Sequence, residues 1–191
     1  MNIRHHADDS TLLSYAAGAL PEGLSLVMAA HLETCDRCRE RLHGAEQVGG
    51  DLLGELPDEH LSSDCLDSIW KKIDSGQADE APAQPVERVT GLPAVLARYF
   101  PGGLDNVRWR TVAPGIRQHV FRDVESERGT VRLFSIAPGT TIPPHSHGGT
   151  ELTLVLMGSF ADQIGRFGPG DLAELDDSVT HQPVADTDEP C

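Results

Sequence analysis

The chain has 191 residues, enough for one large domain or two small ones. Its 30 acidic and 15 basic residues leave a formal charge of −15, a surface that nucleic-acid phosphates repel, which argues against direct binding to DNA or RNA. No apolar run approaches the roughly twenty residues of a membrane span, and the N-terminus lacks the basic-then-apolar pattern of a signal peptide, so the expected setting is the cytoplasm with no membrane contact.

The charge is uneven, with 16 acidic and 6 basic side chains in residues 1–80 against 14 and 9 in 81–191, which points to two domains. Asp9-Ser10 is placed to cap a first helix through Ala19, and Pro21 opens a longer second helix reaching about Val48, before Gly49-Gly50. A third stretch sets Leu61, Cys65, Leu66, Ile69, Trp70 and Ile73 on one helical face. β-Branched residues are scarce here, so residues 1–76 are expected to form a small helical bundle. The run SGQADEAPAQPVE that follows has almost nothing large and apolar to pack, which makes 77–90 the expected linker.

Within the second predicted helix, or at its end, His31, Cys35 and Cys38 stand four and three residues apart and share a face. Zinc in structural sites prefers four nitrogen and sulfur ligands in a tetrahedron, and the fourth is expected from the N-terminal pair, His6 first and His5 as the fallback. Two other readings compete with zinc. A thioredoxin-like redox pair needs a preceding strand, which is missing, and the third reading makes these residues ordinary core. An upstream histidine followed by His-x3-Cys-x2-Cys in a small helical domain resembles the zinc-binding anti-sigma domain. The resemblance implies that His6, His31, Cys35 and Cys38 hold zinc and that the domain covers an extracytoplasmic-function-type (ECF) sigma factor.

From about Val107 the pattern changes to short alternating runs such as Thr130–Ile136 and Leu152–Leu156, divided by Pro138-Gly139, Gly158 and Gly168-Pro169-Gly170. A small antiparallel sandwich or barrel is expected over 91–191. The spacing Gly139-x5-His145-x-His147-x3-Glu151-x6-Gly158 resembles the first cupin motif. Two histidines two apart on a strand point to one side, into a barrel. The second cupin motif is weaker, since Gly170 and His181 stand in place while Asp176, Ser178 and Ala185 replace the usual Pro, Gly and Asn. The implied site is His145, His147, Glu151 and His181, a set that suits zinc, iron or manganese.

A zinc anti-sigma domain followed by a cupin resembles the ChrR-type anti-sigma factors over almost the whole chain. Ile3-Arg4-His5-His6, Tyr15-Ala16-Ala17-Gly18, Val107-Arg108-Trp109-Arg110 and Glu151–Leu156 also look like segments of that group. The resemblance implies that the first domain inhibits the sigma factor and that the cupin serves release when singlet oxygen or organic hydroperoxide appears. Leu61, Leu66, Ile69, Trp70 and Ile73 are either a partner-binding stripe or intramolecular core; Leu12, Leu13 and Tyr15 are a second candidate surface. Cys65 and Cys191 are candidate redox participants. The competing function is a metal-dependent cupin enzyme, a dioxygenase or isomerase, with a helical zinc appendage; it lacks an evident acid, base or substrate clamp beside the ligands.

Overall fold

A computed structural model describes residues 2–76, 92–121 and 129–191. The expected linker 77–90 lies outside the described residues. Among the described residues five α-helices precede eight short strands: α1 Asp9–Ala16, α2 Glu22–Leu32, α3 Asp36–Gly54, α4 Cys65–Asp74 and α5 Ala94–Ala97, then β1 Arg110–Ala113, β2 Ile116–Val120, β3 Arg132–Ile136, β4 Glu151–Leu154, β5 Phe160–Ala161, β6 Arg166–Phe167, β7 Leu172–Leu175 and β8 Val184–Ala185. No helix among the described residues is long and apolar enough to cross a membrane.

The helix boundaries differ from those expected, for local reasons. α1 stops at Ala16 rather than Ala19 because Gly18 takes φ 64 and the N–H groups of Ala19 and Leu20 turn back to Ser14 O. The single helix expected from Pro21 to Val48 is two helices, since Cys35 is extended (φ −106, ψ 97) and starts α3 in a new direction. His31 therefore comes from the last turn of α2, Cys35 from the corner and Cys38 from the first turn of α3. α3 also runs through Gly49-Gly50 to Gly54; neither glycine of the pair has positive φ, and glycine in a helix costs only about 1 kcal/mol.

α2 is the centre of the molecule. Its sequence, EGLSLVMAAHL, is apolar nearly all round, as a helix covered on several sides must be. Met28 and Leu32 pack with Ala7, Leu12, Cys35 and Cys38 and with Leu152 and Leu172 of the β part; Leu26 and Ala30 pack with Leu96, Phe100, Val107 and Phe121. Helical and β parts thus share their cores. Two helix starts are also capped across that boundary. Glu174 of β7 accepts from Asp8 N at 2.9 Å and from the Thr11 hydroxyl, and Glu33 accepts from Ala94 N at 2.5 Å and Val95 N at 2.7 Å.

The strands are antiparallel throughout, in sheets ordered β1-β2-β3, β4-β7 and β6-β5-β8. Single bridges join Thr141 to Val184 and His145 to His181, and Ile136 and Cys191 exchange both backbone hydrogen bonds. Inside, Val155, Phe160, Phe167 and Ala173 form a third cluster, with Cys191 against it.

α4 is the exception to this packing. It buries no residue, and Leu61, Leu66, Ile69, Trp70 and Ile73 are each between 48% and 79% exposed. Val48, Leu52, Leu53 and Leu56, at the end of α3 and beyond, are exposed as well.

Candidate metal centres

The first cluster is assembled at the α2–α3 corner. His6 Nδ1 lies 3.2 Å from Cys35 Sγ and 3.7 Å from Cys38 Sγ, and His31 Nε2 lies 3.3 Å from Cys38 Sγ. All four ligand atoms fall within 4.8 Å of one another. With Zn–N near 2.05 Å and Zn–S near 2.3 Å, a tetrahedral ion sets N···S separations of about 3.6 Å, so the spacing and the donor set both fit zinc. His31, Cys35 and Cys38 are buried, His6 is half-buried, and the cysteines are free thiols.

Burial lowers the pKa of His31, and burial together with Arg37 and Arg41 lowers that of His6. Burial also pushes the Cys38 thiol up. Neutral imidazoles are already in ligating form, whereas the Cys38 thiol gives up its proton when a cation offsets the cost of burying thiolate. His5 takes no part in the cluster: its ring lies against Phe167 with centroids 4.2 Å apart, and its Nε2 meets Arg166 O at 3.1 Å.

The second cluster joins three imidazoles. His147 Nε2 lies 3.1 Å from His181 Nε2, which lies 3.2 Å from His145 Nε2. Tetrahedral coordination at 2.0–2.1 Å sets N···N near about 3.3 Å. Each Nδ1 faces an acceptor: Pro143 O for His145, Glu151 Oε2 for His147 and Asp162 Oδ2 for His181, all at 2.9 Å. The Nδ1 proton is thereby held on the outer side and the three Nε2 lone pairs converge. Glu151, expected as a fourth ligand, is brought to the cluster but lies on the outer side of His147, with Oε1 accepting from Thr153 Oγ1 at 3.0 Å. His145 and His147 are not on a regular strand, as the two-residue spacing implied; His145 is held by its single bridge to His181.

Two groups that the sequence does not single out, Asp162 and Asp171, act here, together with Gly170 of the second cupin motif. Asp162, its side chain 1% exposed, orients His181 while its other oxygen accepts from Ile164 N and Gly165 N across the β5–β6 turn. Gly170 O accepts from His31 Nδ1 at 3.0 Å, and Asp171 Oδ1 accepts from Arg4 N and His5 N. In the sequence Gly170 reads as part of a turn, and the two aspartates carry no ligand spacing. A cavity of about 1410 Å³ runs from His145, His147 and His181 past Leu154 to Leu26 and Ala30 of α2.

Of the candidate contact residues on α1, Leu12 is 2% exposed and belongs to the core, Leu13 is exposed and Tyr15 is half-buried.

Residues 102–191 match the family described as ChrR cupin-like domain. The anti-sigma-E factor ChrR of Cereibacter sphaeroides (strain ATCC 17023) is 42% identical over 186 residues, 97% of this chain and 85% of the relative. This chain belongs to the ChrR family of anti-sigma factors. Rhodobacter sphaeroides ChrR, solved in complex with SigE, superposes with a TM-score of 0.82 at 39% identity, covering 100% of this chain and 96% of that one. The helical part followed by a cupin-like β part is the architecture of that relative. Membership places the chain among regulatory binding proteins and not among cupin dioxygenases or isomerases.

Proposed function

We propose that this chain binds an ECF-type sigma factor in the cytoplasm and holds it away from RNA polymerase, residues 1–76 making the contact and 91–191 serving release. The observation that carries the reading is α4: a one-sided stripe of Leu66, Ile69, Trp70 and Ile73 with no burial of its own, preceded by the exposed Leu61, while exposed Leu13 and half-buried Tyr15 on α1 are a second candidate surface. Large exposed apolar patches mark contact surfaces, and each such side chain contributes about 1.5–3 kcal/mol when fully buried. The excess of 16 acidic over 6 basic residues in 1–80 suits the basic, nucleic-acid-facing surface of a sigma factor. The ChrR relative solved with SigE supports the same partner class.

His6, His31, Cys35 and Cys38 hold zinc in this reading, which ties the N-terminal strap to the α2–α3 corner. His145, His147 and His181 hold zinc, iron or manganese, with the Glu151 carboxylate behind His147. Oxidative signals, singlet oxygen or organic hydroperoxide, act on the cupin part and favour the free over the sigma-bound state. The test is co-purification of the full chain with each ECF-type sigma factor of its own genome, wild type beside Ile69→Glu/Trp70→Glu. One sigma factor is expected to co-purify with wild type and to be lost from the variant, whose melting temperature stays unchanged. Capture of no sigma factor by wild type, or equal capture by the variant, rejects the reading.

A further inference from the structure

We propose that the turn Gly168–Asp171, in the β part, is the outer shell of the zinc centre in the helical part: Gly170 and Asp171 position two of its four ligands, His31 and His6. The inference rests on the zinc reading above and adds that the centre is built by both parts of the chain.

His31 is fully buried, with Nε2 on the Cys38 side and Nδ1 3.0 Å from Gly170 O. A carbonyl oxygen only accepts, so the proton is on Nδ1 and the Nε2 lone pair is free for the metal. Without that carbonyl a buried N–H is left unpaired and the tautomer is no longer held. Gly170 reaches this place because its φ of 88 closes a tight turn, with Asp171 N donating to Gly168 O at 2.9 Å.

His6 lies on residues 2–8, which form no helix or strand. Its place is set by what pins the residues on either side. Asp171 Oδ1 accepts from Arg4 N at 2.6 Å and His5 N at 3.0 Å, Leu172 N donates to His5 O at 3.3 Å, and Asp8 N donates to Glu174 Oε2 at 2.9 Å. Asp171 Oδ2 accepts from Gly168 N at 2.9 Å, so a single carboxylate holds both the strap and the turn that carries Gly170. It is 3% exposed. Charge-assisted bonds to backbone N–H groups are the strong kind, and a buried carboxylate that has them resists displacement by water. Asp171 acts through His6 and His31 and is a positioning residue, not a ligand. β7, which begins beside it, pairs with β4, which begins at Glu151, so one two-stranded ribbon runs from the second metal cluster to the shell of the first.

The test uses the full-length chain loaded with cobalt, whose thiolate charge-transfer absorption reports the cysteine centre alone. Its decay after addition of EDTA is followed in wild type, Asp171→Ala, Asp171→Asn and the exposed control Asp176→Ala. Outer-shell groups typically change metal affinity 10–100-fold, so cobalt loss is expected to be about tenfold faster or more in Asp171→Ala, with a shifted cobalt spectrum. Asp171→Asn, which keeps one acceptor oxygen, falls between it and wild type, and Asp176→Ala matches wild type. Wild-type decay and spectrum in Asp171→Ala overturn the inference and leave the zinc reading standing; a wild type that takes no cobalt on its cysteines overturns both. Hydrogen exchange on the wild type gives the same decision without a variant. Stripping the metal is expected to speed exchange at Arg4, His5, Gly168 and Leu172 about tenfold, and unchanged protection there overturns the inference.

Discussion

The two ligand clusters of this chain differ in who holds them. The Cys35/Cys38 cluster is closed and buried, and its supporting groups, Gly170 and Asp171, come from the distant β part. The three-histidine cluster borders a large cavity, and its supporting groups, Pro143, Glu151 and Asp162, come from the β part itself. A site with its shell in two parts of the chain reports on how those parts sit together, whereas a site with a local shell reports on what enters its cavity. That is a useful division for a protein that must hold a partner in one state and let go in another.

The largest effect is expected from Cys35→Ser/Cys38→Ser, because structural zinc contributes roughly 10–16 kcal/mol to the folding of small domains that depend on it. Metal analysis and helical circular dichroism are expected to show loss of the first metal and of the cooperative melting of α1–α3. Retention of that transition removes the structural role from the cluster and erases the contrast. Next, His145→Ala/His147→Ala is expected to lose only the second metal and to lower the melting temperature by a few degrees, about 1–2 kcal/mol on a domain of this size. A fall as large as that of the cysteine pair makes the two centres structural equals.

A smaller effect is expected of Asp162→Asn. It leaves the ligands in place but weakens the hold on His181 Nδ1, so affinity at the second centre falls about tenfold or more, measured by competition with a chelator, while the first centre is unchanged. The smallest concerns Cys191. Burial, with Asp186 and Glu189 nearby, pushes its thiol up to about 11. Only the thiolate reacts, so iodoacetamide labelling at pH 8 is expected to run on the order of a hundredfold slower than for a thiol of ordinary pKa and to rise until the pH passes about 11. Rapid labelling at pH 8 brings Cys191 back as a redox participant in the β part.

Much of this was legible in the chain itself, for identifiable reasons. His31, Cys35 and Cys38 stood out because ligand spacing is a local property, and the cupin spacing through His145, His147 and Glu151 stood out in the same way. The alternation of 130–136 and 152–156 announced strands because strand faces repeat every two residues. The α4 stripe was visible too, but not whether it was core: periodicity defines a face and says nothing of what covers it. The same limit applied to Leu12, read as a contact residue and buried under Met28 and Leu32. Helix periodicity also ran straight through Thr34, where the chain turns, because nothing in the residue types of 31–38 forbids a continuous helix.

By itself the sequence determined the order of a helical part and a β part, the acidic character of the first, and two groups of His and Cys side chains that could hold a metal. The tertiary structure alone decided that the helical part shares its core with the β part through α2, that Glu151 rests on His147, that Asp162 stands behind His181, and that Asp171 spans 166 residues to hold the strap at His5. The physical reason is one of range. Ligand chemistry and strand or helix periodicity are written in neighbouring residues, but a hydrogen bond from a turn to a distant backbone N–H leaves no pattern in either segment. An aspartate after a Gly-Pro-Gly turn is an ordinary turn residue until the chain folds and another segment is laid against it.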